Sequence, residues 1–186
     1  DYTNIQVQEI ISGATFSLNA AKATINGFDL DFTAAASRNL TISGGFSILD
    51  GHYDVFPNGP VNLPTPAVCT PTPHTTGAPT GGNTVCSADL SGNDTVRTPK
   101  FSGNISADYV APTQHGDLDF ALSYYYNSGF AWDPDNRVKQ DSYGLLGASV
   151  GWVAPNQNWG VRFWGRNLTG TKYCSYATAT NTSCLR

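Results

Sequence analysis

Alternation of apolar and polar residues, sustained over long stretches, narrows most strongly what this chain can fold into. From Ile25 it reads I-N-G-F-D-L-D-F-T, with Phe28, Leu30 and Phe32 on one side and Asp29, Asp31 and Thr33 on the other. Leu40, Ile42, Phe46 and Ile48 oppose Thr41, Ser43, Gly45 and Ser47; Phe101, Ile105 and Tyr109 oppose Ser102, Asn104 and Asp108. Leu118, Phe120, Leu122, Tyr124 and Tyr126 oppose Asp117, Asp119 and Ser123. A period of two is the signature of strands with two unlike faces. Gly-rich segments at 143–153 and 159–168 continue it, and a first strand is expected near 4–11. No segment shows a helical period, although residues 19–23 could make one turn.

The pattern predicts about seven strands of roughly 9–14 residues, against about 5–6 in ordinary globular sheets. A tilted membrane-crossing strand needs about 9–11. The connections sort by length: short near 35–39, 111–116 and 154–158, long at 56–99, 128–141 and after 169. Short turns at one end and long loops at the other describe an outer-membrane barrel. Tyr53, Tyr109, Tyr124, Tyr125, Tyr126, Trp132, Trp152 and Trp159 near strand ends fit an aromatic girdle.

Charge excludes several classes. Charged residues make up 13% of the 186 residues, against about 25% in a typical soluble domain. Ten Lys and Arg against fourteen Asp and Glu leave no basic footprint for nucleic acid. No run approaches the roughly 20 apolar residues of a spanning helix. The chain has no Met and starts in mid-pattern at Asp1, which reads as a processed product or fragment.

The 56–99 stretch is rich in Pro, Thr and Gly and is expected as a long exposed loop that cannot be helical. The cysteines, Cys69, Cys86, Cys174 and Cys184, lack metal-ligand spacing. Local disulfides Cys69–Cys86 and Cys174–Cys184 are the simplest of three pairings and imply an oxidising compartment.

Chemistry-bearing constellations are sparse. His52, His74 and His115 stand apart, and no zincin, nucleophile-elbow or phosphate-loop pattern surrounds them. No enzyme activity, metal or cofactor is expected. Asp29 with Asp31, and Asp117 with Asp119, each share a strand face, which in a barrel is the wet lumen. Arg162 and Arg166 share a face with Trp164 between them and could pair with lumen carboxylates such as Asp29 or Asp31, or with a plug inside the barrel. The D-P-D-N run at 133–136 lacks the Gly and Glu that a calcium loop requires.

An ordered set of motifs resembles the closing strands of TonB-dependent outer-membrane receptors. N-I-Q-V-Q (4–8), N-A-A-K-A-T-I-N-G-F-D-L-D (19–31) and L-T-I-S-G-G-F-S-I-L-D-G-H-Y (40–53) come first. R-T-P-K-F-S-G-N-I-S-A-D-Y (97–109), D-S-Y-G-L-L-G-A-S-V-G-W (141–152) and W-G-V-R-F-W-G-R-N-L-T-G-T-K-Y (159–173) follow. The last is the most specific. The resemblance implies an all-β segment, 1–186, from the C-terminal part of a receptor barrel in the bacterial outer membrane. It lacks the family's plug, TonB box and final strand. Its implied partners are the rest of the barrel, the plug, TonB through the parent protein, and outer-membrane lipid.

That resemblance implies uptake of a scarce nutrient such as a siderophore, with loop-borne His74, Trp132, Asp133 and Asp135 as candidate ligand contacts. A second expectation concerns the segment alone. Severed strands expose edges, and low charge with high β-propensity favours a stacked cross-β filament, released outside the cell as a homo-oligomer. A small stand-alone barrel acting as enzyme or adhesin is a third, weakened by the missing closing strand.

Overall fold

In the computed structural model, the described residues are 1–11, 14–64, 83–178 and 181–185. Seven long strands form one open antiparallel sheet: β1 (Tyr2–Ile11), β2 (Ala14–Ala35), β3 (Leu40–Val55), β6 (Phe101–Thr113), β7 (Gly116–Asn127), β10 (Tyr143–Val153) and β11 (Gly160–Gly165). Each pairs with its neighbour in that order. Small ribbons occupy the long connections, β4 (Gly59–Pro64) with β5 (Asn83–Ala88) and β8 (Phe130–Ala131) with β9 (Lys139–Gln140), and a third, β12 (Tyr176–Thr178) with β13 (Asn181–Leu185), follows β11.

The alternation survives as two continuous faces because the register carries it from strand to strand. Leu30 pairs with Phe46, Phe46 with Gly103, Gly103 with Tyr126, and Tyr126 with Gly144. One face therefore collects Phe28, Ile48, Ile105, Leu122 and Val150, all substantially exposed. The opposite face collects Asp31, Ser43, Asn104, Ser106, Ser123 and Ser149. Its only tight polar contact between β3 and β6 among the described residues is Ser43 Oγ to Ser106 Oγ at 2.8 Å.

Aromatic rings band the apolar face at two heights. Phe28, Phe46, Phe101 and Tyr126 form a row across β2, β3, β6 and β7, with centroids 6.1, 6.2 and 6.0 Å apart. Nearer the turns, Tyr109 and Phe120 stand 6.4 Å apart, and Trp152 meets Trp159 edge-on at 4.8 Å. The β6–β7 turn tucks under this second band. Gly116 holds φ 116° there, and a Cβ would press on Trp152 Nε1 at 2.8 Å. That nitrogen donates to the His115 carbonyl at 3.1 Å.

Several expectations change. Residues 19–23 make no turn, because β2 runs unbroken for 22 residues and pairs with β1 above and β3 below. The 56–99 stretch is not all loop. It contains β4 and β5, and Pro60 and Pro64 lie in that ribbon, where each strand keeps a free edge. Tyr53 and Trp132 are not girdle residues: Tyr53 is 1% exposed and Trp132 8%. The stacked cross-β alternative is not supported. Cross-β order stacks identical segments of many chains, whereas every long strand here pairs with different strands of its own chain.

Candidate functional site

Among the described residues, the buried hydrophobic core lies at the loop end of β2 and β3. Ala23, Tyr53, Phe56 and Leu90 are buried together, with Val61 packed on them. The chain after β5 turns back along β3. Tyr53 N donates to the Asn93 carbonyl at 3.0 Å, Gly92 N to the Tyr53 carbonyl at 2.7 Å, and Thr95 N to the Gly51 carbonyl at 3.0 Å. Burial pushes the Tyr53 phenol above its ordinary value, so it enters this core neutral.

Long connections that the sequence presents as separate loops are joined. The Asp94 amide donates to Asn136 Oδ1 at 2.9 Å, and Asn136 Nδ2 returns a bond to the Asp94 carbonyl at 2.9 Å. Asn93 Nδ2 donates to the Pro134 carbonyl at 2.9 Å, and Arg137 Nη1 to the Asn62 carbonyl at 2.8 Å. Cys174 N donates to Gln140 Oε1 at 2.8 Å. Asn136 sits at φ 57°, a left-handed conformation that Asn tolerates better than most residues.

The expected ligand residues fall unevenly in this cluster. Trp132 and Asp133 are buried. Trp132 meets Phe130 and Tyr176 edge-on at 4.9 and 6.2 Å, and the Arg97 guanidinium lies 5.3 Å from its ring centre. These contacts tie three connections together and turn the indole away from solvent. Asp135 is half-buried and accepts from the Arg137 amide at 3.1 Å. His74 and Cys69 lie outside the described residues, as does the Cys184 side chain. Neither Cys86 nor Cys174 is a free thiol.

Two groups on the polar face escaped the sequence reading. Tyr143 stacks on Tyr173 at 4.8 Å and 7°, with Tyr125 6.0 Å beyond. Tyr125 Oη accepts from Asn127 Nδ2 at 3.0 Å. The sequence groups Tyr125 with the strand-end aromatics and gives no sign for Tyr143; the β7–β10 register places them on one face. Close by, a cavity of about 330 Å³ opens between the loops, with Asp94, Lys100, Lys139 and Asp141 in its lining.

The lumen charges also resolve. Arg162 Nη2 contacts Asp119 Oδ2 at 2.9 Å, so its partner is on β7. It does not reach Asp29 or Asp31, which lie on β2 at the far side of the sheet. Asp29 and Asp31 share their face opposite Ser47 and Gly45, and Asp117 shares that of Asp119 opposite Val153. The Arg166 guanidinium stands 5.5 Å from the Trp164 ring centre rather than on a carboxylate. Among the described residues, no group of three His, Cys, Asp or Glu could hold a metal.

The family described as TonB dependent receptor-like, beta-barrel matches residues 1–168. No curated protein matches the chain. Among solved structures, the ferric yersiniabactin uptake receptor FyuA from Yersinia pestis superposes with TM-score 0.64 at 19% identity, over 87% of this chain and 21% of that one. The siderophore receptor PiuA from Acinetobacter baumannii gives 0.65 at 18%, over 96% and 22%. BauA, the ferric preacinetobactin receptor of the same organism, gives 0.60 at 16%, over 96% and 23%. The chain thus spans about a fifth of each neighbour's length.

Proposed function

Because this chain belongs to the TonB-dependent receptor β-barrel family, we propose that it forms one sector of the wall of an outer-membrane active-uptake receptor. The observation that carries this reading is the segregation of its two faces. Phe101 and Tyr109, on the two aromatic bands, are eight residues apart on β6, or about 26 Å along the strand at ~3.3 Å per residue. A tilt of about 40° reduces that to roughly 20 Å, close to the ~25 Å apolar belt of such barrels. The banded face meets lipid; the Ser, Gly and Asp face lines the lumen. The long connections then face the cell exterior, and the short turns face the periplasm.

A ferric siderophore as cargo class is supported by the neighbours' names, a ferric yersiniabactin uptake receptor, a siderophore receptor and a ferric preacinetobactin receptor. We place its contacts on the lumen-facing side of the loop cluster. Tyr125, Tyr143 and Tyr173 offer stacking surface and phenol groups, and Lys139 offers positive charge to an anionic chelate, while the Lys100 ammonium is held 3.5 Å from Asp94. Asp135 and His74 stay as loop-borne candidates, while Trp132 and Asp133 shape the cluster from inside. The plug, the remaining strands and TonB are partners of the whole receptor. Disulfides Cys69–Cys86 and Cys174–Cys184 would staple the exterior loops, where oxidising conditions keep them closed.

The test is radio-iron uptake and iron-limited growth in a strain with the receptor gene deleted and then restored. Restored uptake of one ferric siderophore, weakened by Tyr143→Ala, supports the reading. Uptake unchanged by deletion across a siderophore panel overturns the cargo class.

A further inference from the structure

Two buried amides serve the tyrosine group at the loop end of β7 and β10. Asn127 is 5% exposed and Gln140 7%, and each spends both ends of its amide inside the protein. Asn127 Nδ2 donates to Tyr125 Oη at 3.0 Å, and its Oδ1 accepts from the Gly129 amide at 2.8 Å. Gln140 Nε2 donates to the Asp141 carbonyl at 2.9 Å, and its Oε1 accepts from the Cys174 amide at 2.8 Å. At that burial the amides hold neighbouring residues rather than cargo. Asn127 is also the register partner of Tyr143. Tyr125 and Tyr143 lie on paired strands, whereas residues 171–174 belong to no strand, so no ladder holds Tyr173. The backbone is pinned on either side of it instead. The Asn167 side chain bonds both backbone groups of Thr171, each at 2.9 Å, and Gln140 holds the Cys174 amide. Cys174 is also tethered through its disulfide, but a single covalent tether leaves the backbone free to turn about it.

We propose that Asn127 and Gln140 are positioning residues for cargo recognition: they hold Tyr125 and Tyr173 around Tyr143 as one fixed platform, which selects ferric chelates that carry an aryl ring. The inference rests on the uptake reading above and on its placing of cargo at these tyrosines. Attraction between rings depends on their angle and offset as well as on the area they bury. The Tyr143–Tyr173 pair is set at 7° and 4.8 Å, and Tyr173 keeps 37% of its surface exposed. An aryl group gains from a ring already fixed in place, because binding then orders no further side chain. A ring-free hydroxamate or carboxylate chelate gains nothing from that orientation. Fixed charge nearby is balanced, since Lys100 and Lys139 share the adjacent cavity with Asp94 and Asp141, which leaves the rings to discriminate.

The experiment uses the intact receptor purified in mild detergent, with folded barrels identified by heat-modifiable gel migration. Quenching of intrinsic fluorescence reports binding of ferric catecholate and phenolate siderophores as aryl probes, and of ferric hydroxamate and carboxylate siderophores as ring-free ones. Gln140→Met keeps the side-chain length and removes the amide. The expected result is an aryl chelate bound more tightly than any ring-free one. Gln140→Met and Tyr173→Ala should each weaken it roughly threefold to tenfold, and the double variant should weaken it no further than Tyr173→Ala alone. Asn127→Leu with Tyr125→Ala gives a second cycle with the same expectation, and it decides the matter where Gln140→Met does not fold. Losses that add in full overturn the positioning role, as does aryl binding unchanged by the amide variants or equal weakening of both probe classes. Ring-free chelates bound as tightly as aryl ones overturn the selection. A wild-type receptor that binds no ferric chelate would instead overturn the uptake reading itself.

Discussion

Arg162 on β11 reaches Asp119 on β7 across a strand that neither belongs to, closing to 2.9 Å over Gly151 of β10. Gly151 is the register partner of both, and a Cβ there would collide with the Asp119 carboxylate. The missing side chain is what brings the two charges together. Gly151→Val is therefore expected to part the pair and cost about 1–3 kcal/mol through overpacking. Arg162→Ala should cost under about 1 kcal/mol, because the guanidinium side chain is 62% exposed. Urea unfolding of the receptor in detergent micelles checks both; a larger loss for Arg162→Ala would show the pair matters more than its solvation allows.

The face assignment predicts an asymmetry between neighbours. Leu122 lies on the apolar face, and Ser149 on the polar one opposite Ala121. Leu122→Arg should destabilise insertion by about 2–4 kcal/mol, as for a lipid-facing charge near the midplane, with Ser149→Arg well below that. Folding titrations into liposomes measure the difference. Equal costs would mean the face assignment is wrong.

Asn136 joins two long connections through paired bonds to the Asp94 backbone. Asn136→Ala removes both and leaves a side chain poorly suited to φ 57°. Two net hydrogen bonds at about 1 kcal/mol each set the expected loss at roughly 2 kcal/mol. Hydrogen exchange should accelerate at Asp94 and Arg97, with the amides of β6 unchanged. Acceleration spread through the sheet would show that the cluster and the wall open together.

Acid should loosen the same region through Asp54. Its carboxyl is held below the usual carboxylate range, chiefly by the Thr24 hydroxyl donating at 2.7 Å, with Lys22 and His52 adding positive charge. A depressed pKa means the unfolded chain binds the extra proton, so this stabilisation is present above the ordinary carboxylate value. It is lost as pH falls through the lower folded value. Limited proteolysis of the loops should rise as pH drops below 4 in wild type, and Asp54→Asn should flatten that rise. A steep rise persisting in Asp54→Asn would assign it to other groups.

Trp132 separates architecture from ligand contact. Buried among Phe130, Tyr176 and Arg97, it should behave as a core residue, Trp132→Ala costing about 3–5 kcal/mol locally. The expected readout is faster exchange in the 128–142 and 166–178 segments without cargo present. Normal loop protection with cargo binding alone reduced would return Trp132 to the ligand surface.

Much of the sheet was legible because a period of two needs only neighbouring residues to be read. Asp29 and Asp31 announce a common polar face, and Phe28, Leu30 and Phe32 a common apolar one, wherever the strand is placed. The order of long and short connections fixed the two ends in the same way. What alternation cannot express is height along a strand or contact between distant loops. Tyr53 and Trp132 therefore looked like girdle residues, and only the packing of 89–98 along β3, with Asn136 clasping Asp94, buried them. Likewise, Arg162 could be placed on the polar face, but its partner depended on which strands lie between. Strand faces are local properties of the chain; loop burial and ion-pair partners are properties of register, and register exists only once the strands have paired.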